Sequence, residues 1–127
     1  MSINISLLGT ITVADSTTGL TSLTKSVSGA MVIGSAFTQV QNLNIGTAST
    51  TLALPVNPVQ FAYIKNLHAN QTVAVTWTTP VGGSVLAITL EPGAVIIFQE
   101  ALPGAGITAI SLQASGASTP VEFLLGG

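Results

Sequence analysis

Apolar and polar residues alternate with a period of two through much of this chain, and the first thirteen positions show it most cleanly. Ile3, Ile5, Leu7, Ile11 and Val13 share one parity, and Ser2, Asn4, Ser6, Thr10 and Thr12 hold the other. In an extended chain this puts the aliphatic set on one face, so the spacing predicts a strand. Two more half-buried strands follow the same logic. In the first, Phe61, Tyr63 and Leu67 alternate with Ala62, Ile64 and Asn66; in the second, Val73, Val75 and Trp77 alternate with Thr72, Ala74, Thr76 and Thr78. The pattern assigns the first-named set of each to the core.

Shorter apolar segments continue to the end of the chain: Leu86, Ile88 and Leu90, then Ala94 to Phe98, Ile107 to Leu112, and Val121 to Leu125. Breakers separate them at Asn57-Pro58, Asn70, Pro80 with Gly82-Gly83, Pro92-Gly93, Pro103-Gly104, and Gly116 to Pro120. Leu90-Glu91-Pro92-Gly93 is the sharpest local signal, because Pro sets φ at the second turn position and Gly accepts the positive φ that a type II turn needs next. It predicts a hairpin. Between Leu20 and Gln41 the spacing of Leu20, Leu23 and Val27 is helical, but Thr, Ser and Val dominate, so strands are expected with a short helix as the alternative.

Short strands about ten residues apart, with no amphipathic helix between them, predict an all-β fold: one antiparallel β-sandwich, jelly-roll-like, of eight to ten short strands. No internal repeat or linker divides the chain. Residues 1–127 read as one sandwich domain, with 2–14 as a candidate inter-subunit strand. A chain of this size can bury a core without covalent staples.

Composition narrows the function. Only Asp15, Lys25, Lys65, Glu91, Glu100 and Glu122 are charged, which is 5% of the chain, against about 25% in ordinary domains. Thr (17), Ser (12) and Gly (13) take their place, so hydroxyls and amides must make the polar surface. Two Lys, no Arg and a net charge of −2 leave no footprint for phosphates, so neither nucleic acid nor an anionic membrane is expected as a partner. The absence of Cys removes disulfides, thiolate nucleophiles and Cys-rich zinc sites, and leaves redox compartment unreadable. No signal peptide is expected, because the first positive side chain is Lys25 and the N-terminus lacks a basic region and a long apolar core, and no transmembrane helix, because the long uncharged stretch Ser26 to Ile64 is broken by Gly and Pro.

The inventory for chemistry is nearly empty. His68 is the one imidazole and Asp15 the one aspartate, more than fifty positions apart, so a Ser-His-Asp constellation is not expected. His68 reads as a solvent-exposed turn residue near Asn66 and Asn70, replaceable by Gln at almost no cost. Glu91, Glu100 and Glu122 are scattered, without the spacing of a metal site or a paired-carboxylate glycosidase. Gly82-Gly83 and Gly104-Ala105-Gly106 lack the Lys and the following helix of a phosphate loop. We therefore expect no catalytic residue, no metal and no cofactor. Trp77 and Tyr63 are the remaining recognition candidates; their parity assigns both to core packing, with sugar or partner stacking as the alternative.

A series of segments, Gln60-Phe-Ala-Tyr-Ile-Lys-Asn66-Leu67, Thr72-Val-Ala-Val-Thr-Trp77, Leu90-Glu-Pro-Gly-Ala-Val-Ile-Ile97, Ile107-Thr-Ala-Ile-Ser-Leu112 and Val121-Glu-Phe-Leu-Leu125, resembles the small β-sandwich virion proteins of tailed bacteriophages. The resemblance covers about the last 70 residues well and the first 60 loosely, and its motifs are mostly strand and turn grammar. It implies a jelly-roll-like capsid decoration or head or tail accessory protein of the virion. It further implies a homo-oligomer, a trimer, docked on a capsid or tail protein, with no catalytic residues.

Charge scarcity argues independently for association. A chain with so weak a repulsive field is not kept dispersed, and uncharged strand edges do little to block pairing with a neighbour. Ile3, Ile5, Leu7, Ile11 and Val13 form the candidate assembly strand, in a segment without Lys until residue 25. The runner-up function is a carbohydrate-binding or adhesin-type module in which Tyr63 and Trp77 leave the core and form a stacking platform.

Overall fold

The computed structural model describes residues 3–14, 17–18, 21–33, 36–38, 40–80, 85–100, 102 and 104–127. Among these every regular element is a strand, and there is no helix. The chain opens with two long strands, β1 (Ile3–Ala14) and β2 (Thr21–Ile33), which pair antiparallel in a two-stranded ribbon of their own. Ile5 stands opposite Met31 and Val13 opposite Leu23, and the register slips once between Val13 and Ala14. Over the ambiguous stretch from Leu20 to Gln41, β2 is thus a strand. β-Branched and hydroxyl residues make helix there costly, and a ready partner in β1 decides it.

The eight strands that follow are β3 (Gln41–Ile45), β4 (Thr50–Thr51), β5 (Phe61–Asn66), β6 (Val73–Thr78), β7 (Val85–Leu90), β8 (Val95–Gln99), β9 (Ala109–Ala114) and β10 (Thr119–Gly126). They form two four-stranded antiparallel sheets packed as a sandwich, in the orders β3-β10-β5-β8 and β4-β9-β6-β7. Only β6 and β7 are consecutive in the chain and share a sheet; every other connection among the eight crosses from one layer to the other. That connectivity is the eight-stranded jelly roll. The sandwich therefore occupies residues 41–126, with the β1–β2 ribbon before it. Residues 36–38 tie the two: Phe37 bridges to Gly126, the Thr38 N–H donates to Leu125 C=O at 2.7 Å, and the Leu125 N–H donates to Thr38 Oγ1 at 2.9 Å.

Between the sheets lie Ile45, Ala62, Ile64, Val121, Phe123 and Leu125 from one layer and Val73, Val75, Trp77, Leu90, Ile110 and Leu112 from the other, all buried. Each such aliphatic or aromatic side chain contributes on the order of 1.5–3 kcal/mol by leaving water. β6 obeys its pattern: Val73, Val75 and Trp77 face inward. β5 reverses it. Ala62, Ile64 and Asn66 stand directly opposite Leu125, Phe123 and Val121, and so share the inner face; Tyr63 and Lys65 stand opposite Leu124 and Glu122 on the outer face. Tyr63 is accordingly not a core residue but a half-buried one on the outside of its sheet. Both parities of β5 are apolar, so alternation alone does not choose between them.

Two turns also depart from the local pattern. Pro92-Gly93 forms the expected tight turn, with Gly93 at φ 77° and the Ala94 N–H donating to Glu91 C=O at 2.9 Å. It joins β7 of one sheet to β8 of the other, so it is a crossing between layers, not a hairpin. Thr119 and Pro120, which read as part of a breaker, begin β10; Pro120 stands opposite Asn44, and its carbonyl accepts from the Leu67 N–H at 3.0 Å. At the opposite end, Val59 and Ile107 bridge with hydrogen bonds of 2.7 and 2.8 Å. Gly106 lets that bridge close, since a Cβ there would lie 2.1 Å from the Val59 carbonyl oxygen.

Candidate functional site

The two flanks of the sandwich differ in chemistry. On one, β3 presents Gln41, Asn42 and Asn44 to solvent beside the short β4, with inner-face Leu43 37% exposed among them. On the other, β7 and β8 are the edges of their sheets, and neither contains a charge, a Gly or a Pro. Within β7, Leu86 stands opposite Trp77 and Ile88 opposite Val75, so both share the inner face. Yet Leu86 is 49% and Ile88 40% exposed. Val85 is exposed beside them, as are Val95 and Ile97 on the outer face of β8. Along this flank the two layers do not close over their own inner face, and among the described residues each edge strand has a ladder partner on one side only. Charges, Pro and bulges are the usual guards of such an edge, and this one has none of them.

One end of the sandwich gathers four connections and is polar. Asn66, fully buried at the end of β5, organises it. Its Nδ2 donates to the carbonyls of Gln71 (2.7 Å), Leu90 (3.1 Å) and Glu91 (3.2 Å), while its Oδ1 accepts from the His68 N–H at 3.0 Å. A buried amide with its lone pairs and protons engaged carries no desolvation penalty of the kind an orphan would. Gln71 extends the network, its Oε1 accepting from the buried Thr119 hydroxyl. The Thr72 N–H donates to Ser115 Oγ at 3.0 Å, and the Ser115 N–H returns to Thr72 C=O at 3.0 Å. Gln113 Nε2 donates to Thr47 C=O at 2.8 Å, which brings in the β3–β4 connection.

His68 belongs to this network. It is half-buried, and its Nδ1 accepts the backbone N–H groups of Asn70 at 3.0 Å and Gln71 at 2.9 Å. His68 thus lies in a turn beside Asn66 and Asn70 as expected, but the expectation of full solvent exposure is corrected, since it is half-buried. The spacing of His68 to Asn70 and Gln71, two and three residues on, is the spacing at which an Asp or Asn side chain caps a turn, and that was the available signal.

The other sequence candidates fall in separate places. Ile3, Ile5, Leu7, Ile11 and Val13 lie in β1, paired with Ile33, Met31, Gly29, Lys25 and Leu23; their side chains are outside what the structure describes. Trp77 is 6% exposed and tilts against Phe98, ring centroids 5.7 Å apart, in the core. Tyr63 is on the outer face of the other sheet, where its hydroxyl donates to Glu122 Oε1 at 2.7 Å. That bond foremost, with burial and the Glu122 charge, pushes the Tyr63 phenol up from its ordinary value. Tyr63 and Trp77 thus share no surface and form no stacking platform. Glu100 Oε1 accepts from the Leu102 N–H at 2.8 Å, a loop contact, and Glu91 lies on the exposed β7–β8 turn. Asp15 lies outside the described residues. Among the described residues no three His, Asp or Glu gather in a group. No protein-family model, no curated protein and no solved structure matches the chain.

Proposed function

We propose that this chain is a non-enzymatic structural subunit of a viral particle, a capsid decoration or head or tail accessory protein that self-associates and docks on a larger protein assembly. The β7–β8 flank carries the reading. Inner-face Leu86 and Ile88 are half-exposed along an uncharged edge, and a neighbour's strand or apolar surface laid there would remove them from water while satisfying the open ladder. Jelly rolls also serve lectins and cupins, so it is this flank and not the fold that favours assembly. The viral setting draws its support from the resemblance of the β5, β6 and β7–β8 segments to phage sandwich proteins.

The β1–β2 ribbon supports the same reading. Among the described residues no third strand joins this ribbon, and a two-stranded ribbon alone is marginal in water, so a neighbour's strand beside β1 would complete it. The test is sedimentation and native mass of the purified chain at low and high salt, alone and mixed with a capsid or tail-tube subunit. An oligomer that persists in salt is the expected result, and where the β1 strand joins a neighbour, deleting residues 2 to 12 dissociates it. Salt screens charge pairs and leaves apolar burial intact. A monomer at all concentrations that joins no such subunit overturns the proposal.

A further inference from the structure

We propose that His68 is an acid-sensitive latch on the polar end of the sandwich, holding the β5–β6 loop closed only while its ring is neutral. The observation is geometric. A nitrogen that accepts two N–H groups, from Asn70 at 3.0 Å and Gln71 at 2.9 Å, must offer a lone pair. The ring proton therefore sits on Nε2. In the imidazolium both nitrogens are donors, so Nδ1–H would face two backbone donors with nothing to accept. Closing the loop and protonating the ring compete for the same lone pair, so acid works against the closed loop.

Release at Gln71 travels because Gln71 is shared. Its N–H is held by His68, its carbonyl by Asn66 Nδ2 at 2.7 Å, and its side-chain oxygen by Thr119. Asn66 in turn holds Leu90 and Glu91 at the β7–β8 turn, and the Gly93 N–H donates to Asn66 C=O at 3.1 Å. Opening one loop thus loosens the turn between the two edge strands and the β9–β10 connection.

The groups around the latch leave His68 as the responsive one. The β5–β6 loop has no other titratable side chain, and residues 46–49 and 115–118 have none. Lys65 on β5, Glu91 on the β7–β8 turn and Glu122 on β10 are the charged residues of the elements meeting here. The Asn70 and Gln71 N–H groups are held by His68 and by none of these three, so the competition for the lone pair is confined to the ring.

The test is amide hydrogen exchange by NMR on the full-length chain at about pH 8 and about pH 5, the two sides of the histidine range. Protection factors of Asn70 and Gln71 should fall about tenfold on acidification, as expected for losing two hydrogen bonds, with a smaller fall at Gly93 and none at Val75 in mid-β6. In His68→Asn the carboxamide oxygen takes the acceptor position and does not titrate, so protection should persist at both pH values. His68→Leu should lose it at both. Equal protection in the wild type at the two pH values, or the same fall in His68→Asn, overturns the proposal. Ring ¹⁵N spectra of the wild type decide it independently of any variant: a proton on Nε2 at the higher pH supports the latch, and one on Nδ1 excludes it.

Discussion

Trp77 of β6 and Phe98 of β8 meet across the layers of the sandwich, their rings 5.7 Å apart and inclined at 57°. They sit on opposite sheets, beside the flank where Leu86 and Ile88 are half-exposed, so the pair closes the core just inside the open edge. Such tilted contacts contribute about 0.5–1.5 kcal/mol beyond the area they bury. Trp77→Ala should cost about 3–5 kcal/mol, the range for removing a buried Trp. Denaturant unfolding measures this, and a double-mutant cycle with Phe98→Ala should return the coupling. A loss below about 1 kcal/mol would mean that Trp77 is not the inter-sheet contact described.

Asn66 offers a sharper case, because its replacement strands other groups. Asn66→Leu is close in volume and apolar, yet it leaves the carbonyls of Gln71, Leu90 and Glu91 and the His68 N–H without their side-chain partner. Each orphaned group that stays buried costs about 1–3 kcal/mol, so a total of about 3 kcal/mol or more is expected. Thermal or denaturant unfolding should show that loss, together with faster amide exchange at Gly93. A neutral substitution would show that these groups find water instead.

How far the sequence disclosed this fold depends on which strand is considered. β6 was legible because its two parities differ in kind: Val73, Val75 and Trp77 against Ala74, Thr76 and Thr78. β5 was not, because Phe61 and Tyr63 on one parity are as apolar as Ala62 and Ile64 on the other, and the residue that breaks the tie misleads. Asn66 reads as an outward polar residue, but carbonyls from loops up to 25 positions away satisfy its amide inside. The Pro92-Gly93 turn was legible in shape and not in destination, since backbone φ is local while the sheet each strand joins is set by packing. The same holds for His68, whose acceptor role depends on two backbone N–H groups that only the folded loop presents. The open flank was foreshadowed by the scarcity of charge, but its place at β7 and β8 follows from sheet order alone.

The Tyr63–Glu122 bond makes a prediction at alkaline pH. The phenol is held above its ordinary value of 10.0, so it stays protonated in the folded chain when the unfolded chain has begun to ionise. The stability it contributes is therefore fully present below pH 10 and is lost as pH rises beyond that, through the raised value. Tyr63→Phe should lower stability by about 1 kcal/mol at neutral pH, as for a half-exposed hydrogen bond to a carboxylate, and should flatten the alkaline decline. Unfolding midpoints across that range compare the two chains; identical slopes would show that the bond does not form in solution.

The flank itself is tested most directly at Ile88, half-exposed on the inner face of an edge strand whose partner Val75 is buried. Lys there can reach solvent from a lone subunit, so Ile88→Lys should leave the monomer folded, with a stability change of about 1 kcal/mol or less. In an assembled pair the same ammonium would have to be desolvated without a partner, a cost of several kcal/mol that association cannot absorb. Asn44→Lys on the polar β3 edge is the control, because it adds the same charge to the same sandwich. Sedimentation should show the oligomer lost in Ile88→Lys and kept in Asn44→Lys, at low and high salt alike. If both variants dissociate, net charge and not the apolar edge governs assembly. If neither does, the interface lies elsewhere, and the β1 edge becomes the segment to disrupt.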